Sequence, residues 1–377
     1  MINRRQFSSI AAGAAAALGG FAGVARAQGD APIVLGQSAP FSGPAAQLGI
    51  QFYQGAKLFL DQHNAQGGQR KLEIRFLDDG YEPERSVANT RKLIDDDVFA
   101  LFGYIGTPTS LAVLPLAVKE KIPFIAPFTG AMGLREPFQK NVFHLRASYN
   151  DETALIVKQL THLGLKKIAV FHQNDSYGKA GLDGVTLALA QQDLKPVARA
   201  TVERNSVDVA AAVKAIVPAM PDAVVQISAY TSCAAFIREA RKAGYGGTFY
   251  NVSFVGTQAL ADELGKEGAG VVVSQVVPSP YNPANAIARE FADTVRKSGG
   301  ATKANFSSME GYLAARVLVE GLRRAPGKVS REGLIAGLES IDRQSFGGFE
   351  VSFSPRNHVA SKFVDLSMIT ADGRVRT

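Results

Sequence analysis

Phe102-Gly103-Tyr104-Ile105-Gly106-Thr107-Pro108-Thr109-Ser110 and, further on, Pro123-Phe124-Ile125-Ala126-Pro127-Phe128-Thr129-Gly130-Ala131 are the stretches whose reading decides the fold. Each begins apolar and ends in glycine, proline or hydroxyl residues, the pattern of a strand that closes at a loop before a helix. In the first stretch Thr107 stands in the N-cap place and Pro108 just inside the helix, where a missing N–H costs nothing. A helix start leaves backbone N–H groups unpaired and carries partial positive charge. Two such junctions side by side make a receptor for a carboxylate. The plainer alternative is that Thr107 only caps its helix and Gly130 only turns the chain.

Outward from these junctions the same alternation continues. Before them, strand patterns over 33–41 and 72–77 alternate with helix patterns over 45–64 and 83–96. The junction strands themselves read as 98–105 and 122–127, with a helix over 108–121 between them. This βαβαβα order argues for a parallel sheet with helices on both faces. The order then restarts, with helices over 151–164, 177–191, 208–217 and 231–243 and strands over 168–172, 198–202, 223–227, 248–252 and 271–277. Helices follow over 283–297, 307–324 and 330–338, the last capped by Ser330. The tail reads as two strands, 349–353 and 362–369, joined by a turn at Pro355-Arg356-Asn357. Two similar α/β units suggest two lobes facing a cleft. Ligands of open α/β sheets bind at the carboxyl ends of strands, which points to the loops after Ile105, Pro127, His172, Ile227 and Val252.

Composition bounds the class. The chain has 377 residues, 46% hydrophobic and 20% charged, which suits a soluble protein of two or three lobes. Met1-Ile2-Asn3-Arg4-Arg5-Gln6-Phe7, an almost uncharged run to Val24 and Ala25-Arg26-Ala27 have the order of a secretory signal over 1–27, cleaved after Ala27. The paired arginines resemble a twin-arginine signal, and an ordinary Sec signal is the alternative. Removing Arg4, Arg5 and Arg26 from a formal charge of +7 leaves about +4. No basic block of the nucleic-acid-binding kind is present. The single cysteine, Cys233, allows no internal disulfide and reads as a small buried residue. No cysteine follows the cleavage site, which argues against a lipid anchor. The expected product is a free, periplasmic, monomeric protein.

Enzyme signatures are missing. His63, His144, His162, His172 and His358 are not at metal-ligand spacing with one another or with Cys233. Neither a nucleophile elbow nor a phosphate-binding loop is found. Ser176-Tyr177-Gly178-Lys179 matches S-x-x-K without its companion motifs, and Gly178, Gly181 and Gly184 have the wrong spacing for a dinucleotide site. Asp95-Asp96-Asp97 reads as a solvated turn. No cofactor is expected.

Ser42-Gly43-Pro44-Ala45-Ala46-Gln47-Leu48-Gly49, Asn64-Ala65-Gln66-Gly67-Gly68, Asp78-Asp79, the 103–110 segment, 127–131, Leu145-Arg146, Asp175-Ser176-Tyr177-Gly178 and Ile237-Arg238-Glu239-Ala240-Arg241 occur in one order over nearly the whole mature chain. In this order and spacing the chain resembles the periplasmic solute-binding proteins of branched-chain amino acid type, the Leu/Ile/Val-binding family that serves ABC importers. The resemblance implies a type I periplasmic binding fold, two doubly wound α/β lobes joined by three hinge crossings near Ser148, Pro278 and Gly347. Residues 28–147 with 278–346 would form the first lobe, and 148–277 with 347–377 the second. By the same resemblance Thr107 would bind the ligand carboxylate, and Phe128 would offer backbone to an ammonium. Gly130 falls where the family has a threonine, so Thr129 would have to supply that hydroxyl. Tyr177 and Tyr230 would close over the ligand from the second lobe.

Two departures bear on the ligand. Ser253, in Asn251-Val252-Ser253-Phe254, falls where the family has its ammonium-binding glutamate, and Leu48 where it often has a tyrosine. A serine cannot neutralise a buried ammonium. The expectation is a small aromatic or branched acid without a free ammonium, unless Asp151 or Glu152 takes over the glutamate's role. The implied mechanism is capture by lobe closure and delivery to a membrane permease, with no chemistry on the ligand. Alternatives are a ligand-sensing partner of a membrane sensor, or a genuine branched-chain amino acid binder.

Overall fold

The computed structural model describes residues 31–67, 70–300 and 302–377; the export signal lies outside them. Five apolar runs pair into one parallel sheet: β1 (Ile33–Ala39), β2 (Leu72–Asp78), β3 (Ala100–Phe102), β4 (Phe124–Ile125) and β5 (Val142–Phe143). Helices α1 (Ala46–Ala65), α2 (Pro83–Asp95) and α3 (Thr107–Lys119) connect them. The strand order is β2-β1-β3-β4-β5, so connections leave in opposite directions from β1 and β3. At such a switch point the loops diverge and leave a crevice, and the loop after β3 is the one that carries Thr107.

After α4 (Tyr149–His162) the second sheet repeats this logic. β6 (Ile168–Gln173), β7 (Ala198–Val202), β8 (Ala223–Ile227), β9 (Thr248–Asn251) and β10 (Val272–Gln275) are parallel, linked by α5 (Ser176–Ala190), α6 (Ala210–Ile216), α7 (Tyr230–Lys242) and α8 (Thr257–Leu264). Every residue of β8 is buried, as expected of a central strand covered on both faces. β6 lies between β7 and β8, so the switch point falls at β6 and β8. The loops that follow these two strands lead to Tyr177 and Tyr230.

The chain then returns to the first sheet through α9 (Ala286–Lys297), α10 (Phe306–Arg324) and α11 (Arg331–Glu339). α10 crosses α1 with backbones in direct contact. A Cβ at Gly55 would lie 1.8 Å from the Ser308 carbonyl oxygen, and one at Gly311 would lie 2.0 Å from that of Phe52. Phe59 and Tyr312 meet edge to face beside this contact, at 5.1 Å.

Three sequence expectations are corrected. Gly106, at φ 103°, is the N-cap of α3, and Thr107 is its first residue. The Thr107 hydroxyl turns away from the helix to Thr129, while Thr109 bonds the carbonyls of Ile105 and Gly106. In the tail, β12 (Phe349–Val351) pairs not with 362–369 but with β11 (Gln344–Phe346). Gly347 and Gly348, both at positive φ, turn that hairpin in two residues. β13 (Asp365–Ile369) instead joins β10 and β14 (Val375–Arg376), antiparallel to both. His144 bonds the His358 carbonyl and accepts from Ala360, which keeps residues 352–360 beside the first sheet. The last crossing therefore lies after Ala360, not near Gly347. Among the described residues no helix is long and apolar enough to span a membrane.

Candidate ligand-binding site

The two switch points face each other, and the side chains between them are buried from both lobes; this enclosed region is the chamber. From the first lobe, Thr107 Oγ1 lies 2.7 Å from Thr129 Oγ1, both fully buried. Ile105 and Phe128 hold their two loops together by a single parallel bridge. Gly130 accepts from Tyr149 N at 2.8 Å, and a Cβ at Gly130 would stand 2.6 Å from that nitrogen. No threonine fits at position 130, and the hydroxyl nearest Thr107 is that of Thr129. Arg135 pins this loop to the crossing segment, donating to the carbonyls of Thr129 and Ala131 and to those of Arg146 and Ala147.

From the second lobe comes Tyr177, in the first turn of α5, whose cap Asp175 accepts from Tyr177 N at 2.9 Å. Its ring packs on Tyr149 at 5.4 Å and on Phe254 at 4.5 Å. Phe254 also meets Phe128 and Tyr81, each at 5.8 Å. The Tyr149 and Tyr177 hydroxyls are buried with no hydrogen-bond partner among the described residues. Burial pushes Tyr149 up to about 12, although the Arg146 guanidinium pulls the other way, and burial raises Tyr177 as well. Both phenols stay neutral near pH 7 and remain donors. Tyr230 stands apart, at the rim. It begins α7 beside the Pro44–Gln47 loop, where Thr231 bonds the Pro44 carbonyl.

Ser253 lies in a fully buried charge cluster. Glu152 Oε2 accepts from Ser253 N at 2.7 Å and from Ser274 Oγ at 2.5 Å, and its Oε1 accepts from Ser253 Oγ at 3.1 Å. Burial raises the Glu152 carboxyl, and Arg146 and these donors oppose the rise. Arg146 grips Glu310 with two bonds, of 2.8 and 2.7 Å, and donates from Nη1 to Ser253 Oγ at 3.2 Å. Its Cζ lies 3.9 Å from the Phe128 ring centroid. The carboxylate absent from position 253 is thus supplied from α4, and a guanidinium of the protein stands beside it.

Sequence reasoning missed Tyr81, Tyr149, Phe254, Arg146 and Glu310. Tyr81 carried a signal in the Asp-Gly-Tyr turn after β2, where its φ of 65° is rare for a bulky residue. Gly106 admits its ring: a Cβ there would lie 2.3 Å from it. Asp79 fixes this turn, accepting from Tyr81 N and Ser38 Oγ, both at 2.8 Å. Burial lifts its carboxyl from 3.8 to about 6. The native chain therefore holds a proton that the unfolded chain has lost, and stability falls as pH rises across that window. Urea titrations from pH 4 to 7 should show a fall of about 2–3 kcal/mol that is absent in Asp79→Asn.

Two closed α/β lobes around a buried, hydroxyl-lined chamber define a solute receptor of the type I periplasmic binding fold. The chain belongs to the periplasmic binding protein family, whose model matches residues 32–374. It is 26% identical over 384 residues to the Leu/Ile/Val-binding protein homolog 7 of Brucella suis, covering 94% of this chain and 93% of that one. Among solved structures it is similar to a possible leucine/isoleucine/valine-binding protein of Rhodopirellula baltica, with a TM-score of 0.87 and 34% identity, covering 92% of this chain and 96% of the other. A fatty acid ABC transporter substrate-binding protein of Thermomonospora curvata shares the fold at a TM-score of 0.83 and 21% identity, covering 93% and 92%. Proteins of this family are periplasmic and bind small-molecule ligands.

Proposed function

We propose that this protein captures a small carboxylate-bearing solute between its lobes and hands it unchanged to the permease of an ABC-type importer, after export and cleavage following Ala27. The observation that carries this reading is the Thr107–Thr129 hydroxyl pair at the start of α3, opposite the unpartnered Tyr149 and Tyr177 hydroxyls. Hydroxyls and free helix N–H groups in a buried region suit one anionic group. The rings of Phe128, Tyr177, Phe254 and Tyr81 suit an aromatic or branched body. In this reading the first lobe is 31–147 with 278–360, and the second 148–277 with 361–377.

The solute carries no free ammonium. Ser253 Oγ already donates to Glu152 and accepts from Arg146, so the place of an ammonium partner is taken by the protein's own cation. Glu152 keeps its charge occupied with three donors. A thermal-shift screen of amino acids against their des-amino counterparts, such as phenylalanine against 3-phenylpropionate, tests this. A des-amino acid at about 100-fold above its Kd should stabilise the fold by about 2.7 kcal/mol, and its amino acid partner should not. A shift by the amino acid alone removes the ammonium argument; no shift by any carboxylate removes the capture reading.

A further inference from the structure

Away from the chamber, a second set of polar contacts joins the lobes at the rim. Glu82, just before α2, belongs to the first lobe, and Arg204 and Asn205 follow β7 in the second. Arg204 Nη2 donates to Glu82 Oε2 at 2.8 Å. Asn205 Nδ2 donates to Glu82 Oε1 at 2.7 Å and to the Gly80 carbonyl at 3.0 Å. One carboxylate is thus held by two adjacent residues of the other lobe.

The contact continues inward. Arg204 Nη1 reaches Asp175 Oδ2, the cap of α5, at 3.4 Å. Gln173 Nε2 donates to Asp175 at 2.6 Å and to the Tyr81 hydroxyl at 3.3 Å. Tyr81 in turn packs on Phe254 in the chamber. Both rim loops hold residues at positive φ, Gly80 and Tyr81 on one side and Asn205 on the other. Left-handed backbone at a bulky residue costs free energy and persists where its surroundings hold it, often at switch regions.

We propose that Glu82, Arg204 and Asn205 form a rim latch that biases the ligand-free chain toward the closed state and sets how long a captured solute is kept. Retention rests on the capture reading above; the latch itself does not. A single exposed ion pair contributes little. Here Arg204 is partly buried and answers to two carboxylates, and Asn205 adds two further bonds. The attraction weakens as salt rises, because the pair lies near solvent.

Hydrogen exchange on the ligand-free protein is the test, so its failure leaves the capture reading standing and the failure of that reading leaves the latch standing. Segments 103–110 and 252–257 report chamber exposure, and 223–227, in the buried β8, reports the fold. At low salt, Glu82→Ala and Arg204→Ala should each speed chamber exchange about fivefold, with the double variant no faster than either. Wild type at about 0.5 M NaCl should approach them, and β8 should not change. Wild-type chamber exchange in both variants, or additive effects in the double, overturns the latch. Should β8 exchange rise as well, Asn205→Ala decides: faster chamber exchange with β8 unchanged supports the latch, and anything else overturns it.

Discussion

Glu310→Gln or Arg146→Met alone is expected to cost about 3–5 kcal/mol of unfolding free energy, while Arg146→Met with Glu310→Leu costs less than Arg146→Met alone. Both side chains are almost wholly buried, and each is the other's charge partner through two short bonds. Glu310→Gln leaves Arg146 with Glu152 as its remaining carboxylate, and Arg146→Met leaves two buried carboxylates, Glu310 and Glu152, without their cation. Burial works against the guanidinium, and the Glu310 and Glu152 carboxylates together more than offset it, holding Arg146 charged. Removing both takes out the pair together and leaves Glu152 as the one buried carboxylate that has lost its cation, one fewer than Arg146→Met alone leaves. The pair's particular contribution is registry. Arg146 stacks on Phe128 in the first lobe and reaches Ser253 in the second, so it fixes how the two closed halves meet. Urea unfolding of the three variants measures this. Single variants within about 1 kcal/mol of wild type would mean that the pair is not buried as described.

Gly55→Ala is expected to destabilise by about 1–3 kcal/mol, the range for overpacking a tight contact. The added methyl would overlap the Ser308 backbone carbonyl, which cannot rotate away as a side chain could. α1 and α10 would have to separate, taking with them the Phe59–Tyr312 contact and the return of the chain to the first lobe. The sign makes the experiment informative. In an exposed helix the same substitution stabilises by about 1 kcal/mol through propensity. A measured gain would show that the two helices are not in backbone contact, and thermal or urea unfolding distinguishes the two outcomes.

The fold was legible in the sequence because parallel strands buried on both faces read as apolar runs bounded by turn residues. The run at 223–227 matches the wholly buried β8 residue for residue, and 198–202 matches β7, an edge strand that alternates instead. The tail was not legible, because strand partners are set by tertiary contacts. Nothing within 349–353 says that it pairs backward to Gln344–Phe346 through Gly347-Gly348, or that 365–369 joins β10. At the site, residues announced by helix starts and loop chemistry, Thr107 and Thr129, could be found from local pattern. The charge cluster could not. Arg146, Glu152, Ser253, Ser274 and Glu310 come from five separate segments, and a charged residue in a helix or loop reads as solvated until the fold buries it. Tyr149 carries no local signal, because the helix pattern starts only at 151, yet it is the residue that leaves no space for a side chain at Gly130. The departure at Ser253 is visible in the sequence, with Asp151 or Glu152 as its stand-in, and only the choice of Glu152 required the fold.

The central claim is that one solute sits between the lobes with its carboxylate on Thr107 and Thr129. Calorimetric titration of the des-amino acid that gives the largest thermal shift, into wild type and into Thr107→Val, tests it most directly. The expected result is one solute per chain, recovered unaltered, with affinity about 10–100-fold weaker in the variant, the loss of a hydrogen bond to a charged group. Equal affinity in the two proteins would contradict the account.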